Sequence, residues 1–452
     1  MDNSSLLRLK GGIGSRVEVT PIDIPMRTAS PFITLFVALL FPGLSLAQTT
    51  WVVDPAGGGN FTTIQAALGD TQVIDGDQVL VLAGTYVENI NTLGKSILLK
   101  SESGALQTIV DGNASGSVML FESSEGPSTI IDGFTLQNGM AWDGGGVFIT
   151  ENPQTGISAS PTIRNCIIEN NMGNGGGGGI AIRGGSPEFT NCLVRNNQTL
   201  HYHGAGMVLF NASPTILNCT FEGNAAGGHG GGIGIWDNNC QPQIHDSIFW
   251  GNTPDNIRLY GGPTNIDAYY SCMEYGANEY WFRTGCIDTD PFFATGTGGA
   301  SYLSQIESGQ AMDSPCVDTA DPTTSAPGTT RTDGLKDSGV ADMGFHFSVP
   351  PAILEVSNLI AGQTALVEIR HATPHNYAHF AWSVYGSGPT STPLGDAMVS
   401  PPFTLVLLQT DADGYASMTA PIPNWTSGIS VWCHGSDYGA LTLLNPLALV
   451  IQ

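Results

Sequence analysis

Between residues 128 and 252 the apolar and polar positions return in one phase. Segments starting at Pro161, Pro187, Pro214 and Pro242 read PTIRNCIIENN, PEFTNCLVRNN, PTILNCTFEGN and PQIHDSIFWGN; a diverged copy, STIIDGFTLQN, starts at Ser128. Four residues into each copy stand Asp132, Asn165, Asn191, Asn218 and Asp246. The next residue is Gly133, Cys166, Cys192, Cys219 or Ser247, and the last is Asn138, Asn171, Asn197, Asn224 or Asn252. The first four copies also carry a glycine-led run: GGGVFIT from Gly144, GGGIAIR from Gly177, GAGMVLF from Gly204 and GGGIGIW from Gly230. Its alternation sets Val147/Ile149, Ile180/Ile182, Met207/Leu209 and Ile233/Ile235 on one face, the period-two mark of a half-buried strand. The repeats hold short strands separated by Asn and Gly turns, with no helical period.

A phase that returns about every 27 residues is the sequence of a parallel β-solenoid. Each coil buries an apolar stripe, and backbone hydrogen bonds join coils about 4.8 Å apart. Asparagine at a fixed turn position stacks on its neighbours, its amide donating to the next coil. Composition then falls into place: the chain has 59 glycines in 452 residues, against a usual share of roughly 7%, and bends with positive φ or crowded backbones account for them.

The pattern resembles the right-handed parallel β-helix of the pectate-lyase-like superfamily. Its FEGN (Phe221–Asn224) and GGGI (Gly230–Ile233) elements are similar to the repeats of polymorphic outer-membrane proteins. NFTTIQAALGD from Asn60 and GDQVLVLAGTYVENI from Gly76 resemble the N-terminal cap of secreted β-helix proteins, a short amphipathic helix and then the first coil. TDPFF from Thr289, SPCVDTADP from Ser314 and DMGFHF from Asp342 resemble their closing segment. The expected fold is all-β: a cap over residues 48–85, coils over 86–288, a closing segment over 289–348 and, after Pro350–Pro351, a small β-sandwich over 352–452. That last stretch has short alternating runs such as ALVEIR from Ala365 and ISVWC from Ile429, with a turn at Asp413–Gly414. The resemblance implies a fold and no single activity, since this scaffold carries lyases, hydrolases, esterases and inert adhesins.

Residues 1–47 have the layout of a secretory signal peptide, with Met26 as an alternative start. Arg27 precedes the apolar run Pro31–Phe41, and Ser45-Leu46-Ala47 follows it as a small-residue cleavage site. That run is too short to span a bilayer, and no transmembrane segment is expected in the mature chain. An exported, extracellular or cell-surface protein follows. Net charge is −25 with only 14 Lys and Arg, which argues against nucleic acid as a partner, since phosphate needs clustered cations. Of the eight cysteines, the periodic three read as free buried thiols; among the irregular ones Cys272–Cys286 is the simplest bridge.

Chemistry is sought where one column of side chains forms a groove. One outward column reads Thr150, Arg183, Phe210, Trp236; another, just before the triplets, reads Asp143, Gly176, His203, His229, with Tyr202 beside it. Phe210, Trp236 and Tyr202 offer aromatic faces to sugars, and Arg183 suits a carboxylate or sulfate. Equally, such columns simply cover the coil edge. His203, His229 and Asp143 are the catalytic candidates, although the paired aspartates of β-helix hydrolases and the aspartate pair with arginine of pectin methylesterases are not reproduced. Arg195, lying between Glu169 and Glu222 in phase, reads as part of a structural ion-pair ladder. Asp333, Asp337 and Asp342 belong to an acidic cluster that would suit Ca2+ or plain solvation. The expected function is a non-catalytic solenoid presenting a face to a polysaccharide or a surface protein; the alternative is a polysaccharide lyase or glycoside hydrolase in the groove.

Overall fold

The recurring segments become the strands of a parallel β-solenoid in the computed structural model, which describes residues 48–261, 266–324, 328–337, 339–349, 352–373, 375–411 and 414–452. The expected leader, the Pro350–Pro351 linker and Asp413 lie outside the described residues. A nine-stranded parallel sheet runs from Thr50–Val53 to Asp267–Tyr269, an eight-stranded one from Gly84–Val87 to Cys272–Met273, and a seven-stranded one from Ile90–Asn91 to Ile257–Leu259. A four-stranded ribbon from Met140–Asp143 to Ala225–Ala226 precedes the seven-stranded sheet in its coils. Register follows the repeat: Val147, Ile180, Met207 and Ile233 are successive partners, all fully buried.

The turn asparagines carry this register. Asn171 donates from its backbone and from Nδ2 to Asn197 Oδ1, both at 3.1 Å. Asn197 does the same to Asn224 at 3.0 Å, and Asn224 to Asn252 at 3.0 and 2.8 Å. The diverged first copy is one residue out of the expected phase. Thr162 pairs with Ile130, so Gly139 and not Asn138 lies below Asn171, and its N–H donates to Asn171 Oδ1 at 2.8 Å. Asn138 instead turns out to Asp111 at 2.7 Å. The glycine triplets pack against the ladder. Their first residues hold left-handed φ values, +61° at Gly144 and +67° at Gly230, and a Cβ on Gly146 would come within 2.7 Å of Asn171 Nδ2.

The periodic thiols form a second ladder. The Cys192 thiol donates to the Ile163 carbonyl of the coil before, and its backbone N–H donates to Cys219 Sγ of the coil after at 3.3 Å. One coil on, the N–H of Cys219 donates to Ser247 Oγ at 3.1 Å, and that of Ser247 to Ser271 Oγ at 3.1 Å. Thiol and hydroxyl share one job, which is why serine replaces cysteine in phase. All eight cysteines are free. The expected Cys272–Cys286 bridge is therefore not formed: the Cys286 thiol donates to the Ala268 carbonyl at 3.3 Å and that of Cys272 to Thr289 at 3.1 Å.

At the N-terminal end a helix, Ile64–Gly69, begins at the Thr63 cap, and the Glu88 carboxylate accepts from the Ile64 and Gln65 N–H groups at 2.9 Å each. These are donors that a helix start leaves without intrahelical partners. Among the described residues no helix is long and apolar enough to cross a membrane.

Residues after the last coil fold back over the outside of the eight-stranded sheet. Tyr302, Phe345 and Phe347 cover Ile167 and Leu193, while Leu303, Cys316 and Met343 cover Ile248 and Cys272. Gly344 donates to the Asp246 carbonyl, Phe345 to Thr220 Oγ1 and His346 to Asn191 Oδ1, at 2.7, 2.9 and 2.7 Å. Consecutive residues thus dock on three consecutive coils. Arg195 belongs to this cover, pairing with Glu169 at 2.7 Å and donating to Ser301 at 3.2 Å. Glu222 takes the Ser301 hydroxyl, so the expected ladder closes on one side only.

The C-terminal stretch is a small antiparallel β domain. A three-stranded sheet (Ile353–Ser357, Thr364–Arg370, Ala416–Pro421) and a five-stranded one built around Tyr377–Ser383 and Ser430–Asp437 share one apolar cluster, in which Leu354, Val367 and Ile369 meet Ala378, Phe380 and Val431. Lys336 of the closing segment reaches this domain, donating to Thr373 Oγ1 at 3.3 Å and lying 3.9 Å from the buried Asp437 carboxylate.

Candidate functional site

The outward column of the seven-stranded sheet is continuous and longer than the sequence suggested. Arg183 pairs in register with Phe210, and its guanidinium lies 4.5 Å above that ring. Phe210 stacks on Trp236 at 5.9 Å and Trp236 on Tyr260 at 4.7 Å, with interplanar angles of 14° and 19°. Tyr260 escaped the sequence reading because the glycine triplet is lost in its coil. The signal was there in the alternation: IAIR, MVLF, IGIW and then IRLY, Ile257–Tyr260. Phe210 thus lies between Arg183 and Trp236, and Trp236 between Phe210 and Tyr260, so the faces of these two rings are occupied within the column.

Arg183 also reaches across the sheet to Asp143, with Nη2 at 2.5 Å and Nε at 3.1 Å from one carboxylate oxygen. Asp143 is nearly buried. The cation expected to hold a ligand's carboxylate is thus already neutralised by the chain's own.

The histidine column forms as expected: Gly176 is the partner of Asp143, and the His203 and His229 rings stack at 6.1 Å. His203 Nδ1 accepts the His229 backbone N–H at 2.8 Å and lies 2.5 Å from the Tyr260 hydroxyl. That nitrogen therefore carries the lone pair, and the ring proton sits on Nε2. Burial, then the neighbouring His229, push the imidazole below its ordinary pKa. Tyr260 is pushed up to about 12, by burial first and by the Asp255 charge second. His203 is a neutral ring with its basic nitrogen engaged. His229 differs: its Nδ1 lies 3.3 Å from Asp255, whose other oxygen accepts from the Gly230 N–H, and the ring is exposed.

The open surface lies one step toward the N-terminal coils. Trp142, which the sequence reading passed over beside Asp143, is 65% exposed. Its indole lies across Gly175, where a Cβ would come within 2.3 Å of Nε1. The Tyr202 ring flanks it at 6.0 Å. Trp142, Asp143 and Phe148 line a depression of about 650 Å³ together with Asn89, Asn91 and Glu122. Asn91 Nδ2 donates to Glu122 at 3.1 Å.

The acidic candidates of the closing segment are occupied by the chain itself. Asp333 pairs with Arg331 at 2.7 Å, Asp337 accepts from Thr330 N–H at 2.7 Å, and Asp342 accepts from Gln305 at 3.1 Å and Asp318 N–H at 2.7 Å. Among the described residues no group of three or more His, Cys, Asp or Glu side chains converges as metal ligands. Burial raises Asp342 to about 6 and pushes Asp337 well above the usual carboxylate range, the Asp342 charge adding to the latter.

No curated protein sequence matches the chain. Among solved structures, the pectin methylesterase of Aspergillus niger in deglycosylated form is 11% identical, covering 54% of this chain and 84% of its own with a TM-score of 0.33. A pectin methylesterase mutant in complex with a hexasaccharide is 12% identical, covering 53% and 93% with a TM-score of 0.27. Likeness that loose bears on no residue of this chain. Residues 95–271 match the family model described as right handed beta helix region. That stretch coincides with the stacked asparagines and the three sheets, and the body of this chain is a right-handed parallel β-helix.

Proposed function

We propose that this protein is an exported, non-catalytic β-helix that holds neutral glycan chains in the depression bordered by Trp142, at the cell surface or outside the cell. The observation that carries the reading is the mostly exposed indole at the edge of a 650 Å³ hollow faced by amides and carboxylates. A sugar ring presents an apolar C–H face and a rim of hydroxyls. An indole suits the first, and Asn91, Glu122 and Asp143 suit the second. The charge of −25 and the internal pairing of Arg183 favour neutral chains over polyuronates. Calorimetric titration with neutral and acidic oligosaccharides tests this. Saturable heat with a neutral chain, lost in Trp142→Ala, is expected; heat with acidic chains alone, or none at all, overturns it.

A second reading has one observation behind it. His229 is an exposed imidazole with the Asp255 carboxylate 3.3 Å from its Nδ1, the pairing of a general base. A lyase or hydrolase would release unsaturated or reducing ends from one of these glycans, with or without calcium, and would lose that activity in His229→Ala.

A further inference from the structure

The five-stranded sheet of the C-terminal domain ends on one side at Thr404–Gln409, which pairs with Tyr377–Ser383 and with no other described strand. Its residues keep one antiparallel register without a bulge. The Thr410 N–H donates to the Asn376 carbonyl at 2.9 Å, and the Tyr438 N–H donates to the Tyr377 carbonyl at 2.9 Å from the opposite side of that strand. Alternation then points the backbone groups of Thr404, Val406 and Leu408 at the neighbouring strand, and those of Leu405, Leu407 and Gln409 away from the sheet. Among the described residues nothing bonds the backbone of Leu405 or Leu407 on that open side. Their side chains are 57% and 56% exposed, while Leu408 packs against the core on the other face. From Ala397 to Thr410 the chain carries no charge. Proteins commonly blunt such an edge with a charge, a proline within the strand or a bulge. This edge has none of the three.

We infer that this edge is a homodimer interface: a second copy of the chain lays its own Thr404–Gln409 antiparallel to the first, joining the two sheets into one continuous sheet. The strand is complementary to itself. With the two-fold axis at Val406, Leu405 faces Leu407 of the second copy and Leu407 faces its Leu405, so the outward N–H and C=O groups of both meet as hydrogen-bonded pairs. A slip of one residue sets outward groups against inward ones and loses those bonds. An axis at Leu405 or at Leu407 keeps the bonds but opposes the other leucine to Phe403 or to Gln409. The Val406 axis sets leucine against leucine throughout, and these exposed side chains leave water together. Charge points to the same occupant. Two copies at −25 each repel across most of their surfaces, and an uncharged edge is where they approach with least repulsion. A strongly basic or acidic partner finds nothing there to pair with. The contact uses one patch on both copies, as closed two-fold interfaces do, and it does not depend on what the Trp142 depression binds.

Sedimentation velocity of the full-length protein over a wide concentration range tests this. The expected mass rises from that of one chain to that of two. The double variant Leu405→Lys with Leu407→Lys should stay at one chain throughout, while Leu441→Lys, at an exposed leucine outside the strand, still dimerises. Both replaced leucines are exposed, so far-UV circular dichroism and the urea midpoint of the double variant should match those of Leu441→Lys. A further variant reads the register. Val406→Cys puts two thiols across the axis, where the Cα atoms of a non-hydrogen-bonded pair lie about 4.5 Å apart, within disulfide reach. Mild oxidation should then give a reducible covalent dimer that the wild type does not form. A wild type that remains a monomer at every concentration overturns the inference, including one that takes up a strand of another protein instead. So does a dimer that survives the two lysines or does not link through Val406→Cys.

Discussion

Asn224 Oδ1 is one acceptor for two donors of Asn197. The backbone N–H and the side-chain amide of Asn197 both donate to Asn224 Oδ1 at 3.0 Å, while the Asn224 amide donates on to Val194 O and to Asn252 Oδ1 at 2.9 and 2.8 Å. Both residues are buried, so each of these groups has no water to turn to.

Truncating the ladder therefore strands several polar groups at once. Each buried group left unsatisfied costs about 1–3 kcal/mol, and Asn224→Ala should lose about 3 kcal/mol or more. Asn138→Gly, which removes an exposed side-chain contact outside the ladder and suits the φ of +57° at that position, should lose under about 1 kcal/mol. Denaturant unfolding of the two variants measures the difference.

The thiol ladder makes an unusual substitution tolerable. Since Ser247 already fills the position in phase and its hydroxyl donates to the His245 carbonyl at 2.7 Å, Cys219→Ser should shift stability by less than about 1 kcal/mol. Cys219→Val keeps the volume and loses the donor and acceptor; it should cost about 1–3 kcal/mol. Urea midpoints at matched slopes check the order of the two.

Most of this architecture was legible because Asn, Cys and Gly recur where the backbone needs them. The fold could be read from Pro161 to Asn252, and both outward columns were in the correct register. The slip at the first copy has a physical source. Asn138 and Asn170 occupy equivalent turns with φ of +57°, so the letter Asn matched while the ladder position had passed to Gly139. Trp142 was missed because it sits where coils differ in length, at a register shift between Ala141 and Asp143. The return of the closing segment over the eight-stranded sheet was not readable: Ile167, Leu193 and Ile248 look like any exposed strand position until Phe345 and Met343 cover them.

Two buried groups in that cover oppose each other in pH. His346, fully buried with neither ring nitrogen hydrogen-bonded, is lowered from 6.5 to about 4 by burial. The unfolded chain then binds its proton more readily, and stability is lost as pH falls from 6.5 toward 4. Asp342 is raised from 3.8 to about 6 by burial. Here the folded chain holds the proton, and stability is lost as pH rises from 3.8 to 6. Each slope amounts to at most about 3 kcal/mol across its window. Asp342→Asn should make stability rise more steeply with pH between 4 and 6 than in the wild type, and His346→Gln should make it fall. Urea unfolding at five pH values reads both slopes; identical slopes in all three proteins would refute the assignment.

Trp236 and Trp142 separate packing from binding. Trp236 is stacked between Phe210 and Tyr260 and touches His203 at 5.3 Å, so Trp236→Ala should cost about 3–5 kcal/mol of stability. Trp142→Ala, largely exposed, should change stability by about 1 kcal/mol or less and remove the glycan heat.

The most direct measurement is a crystal structure of the protein with the tightest-binding oligosaccharide of the panel. The account predicts a sugar ring stacked on the Trp142 indole, with hydroxyls within hydrogen-bond distance of Asn91, Glu122 or Asp143. A saccharide seated instead over Phe210, Trp236 and Tyr260, or across His229 and Asp255 with the depression empty, would contradict it.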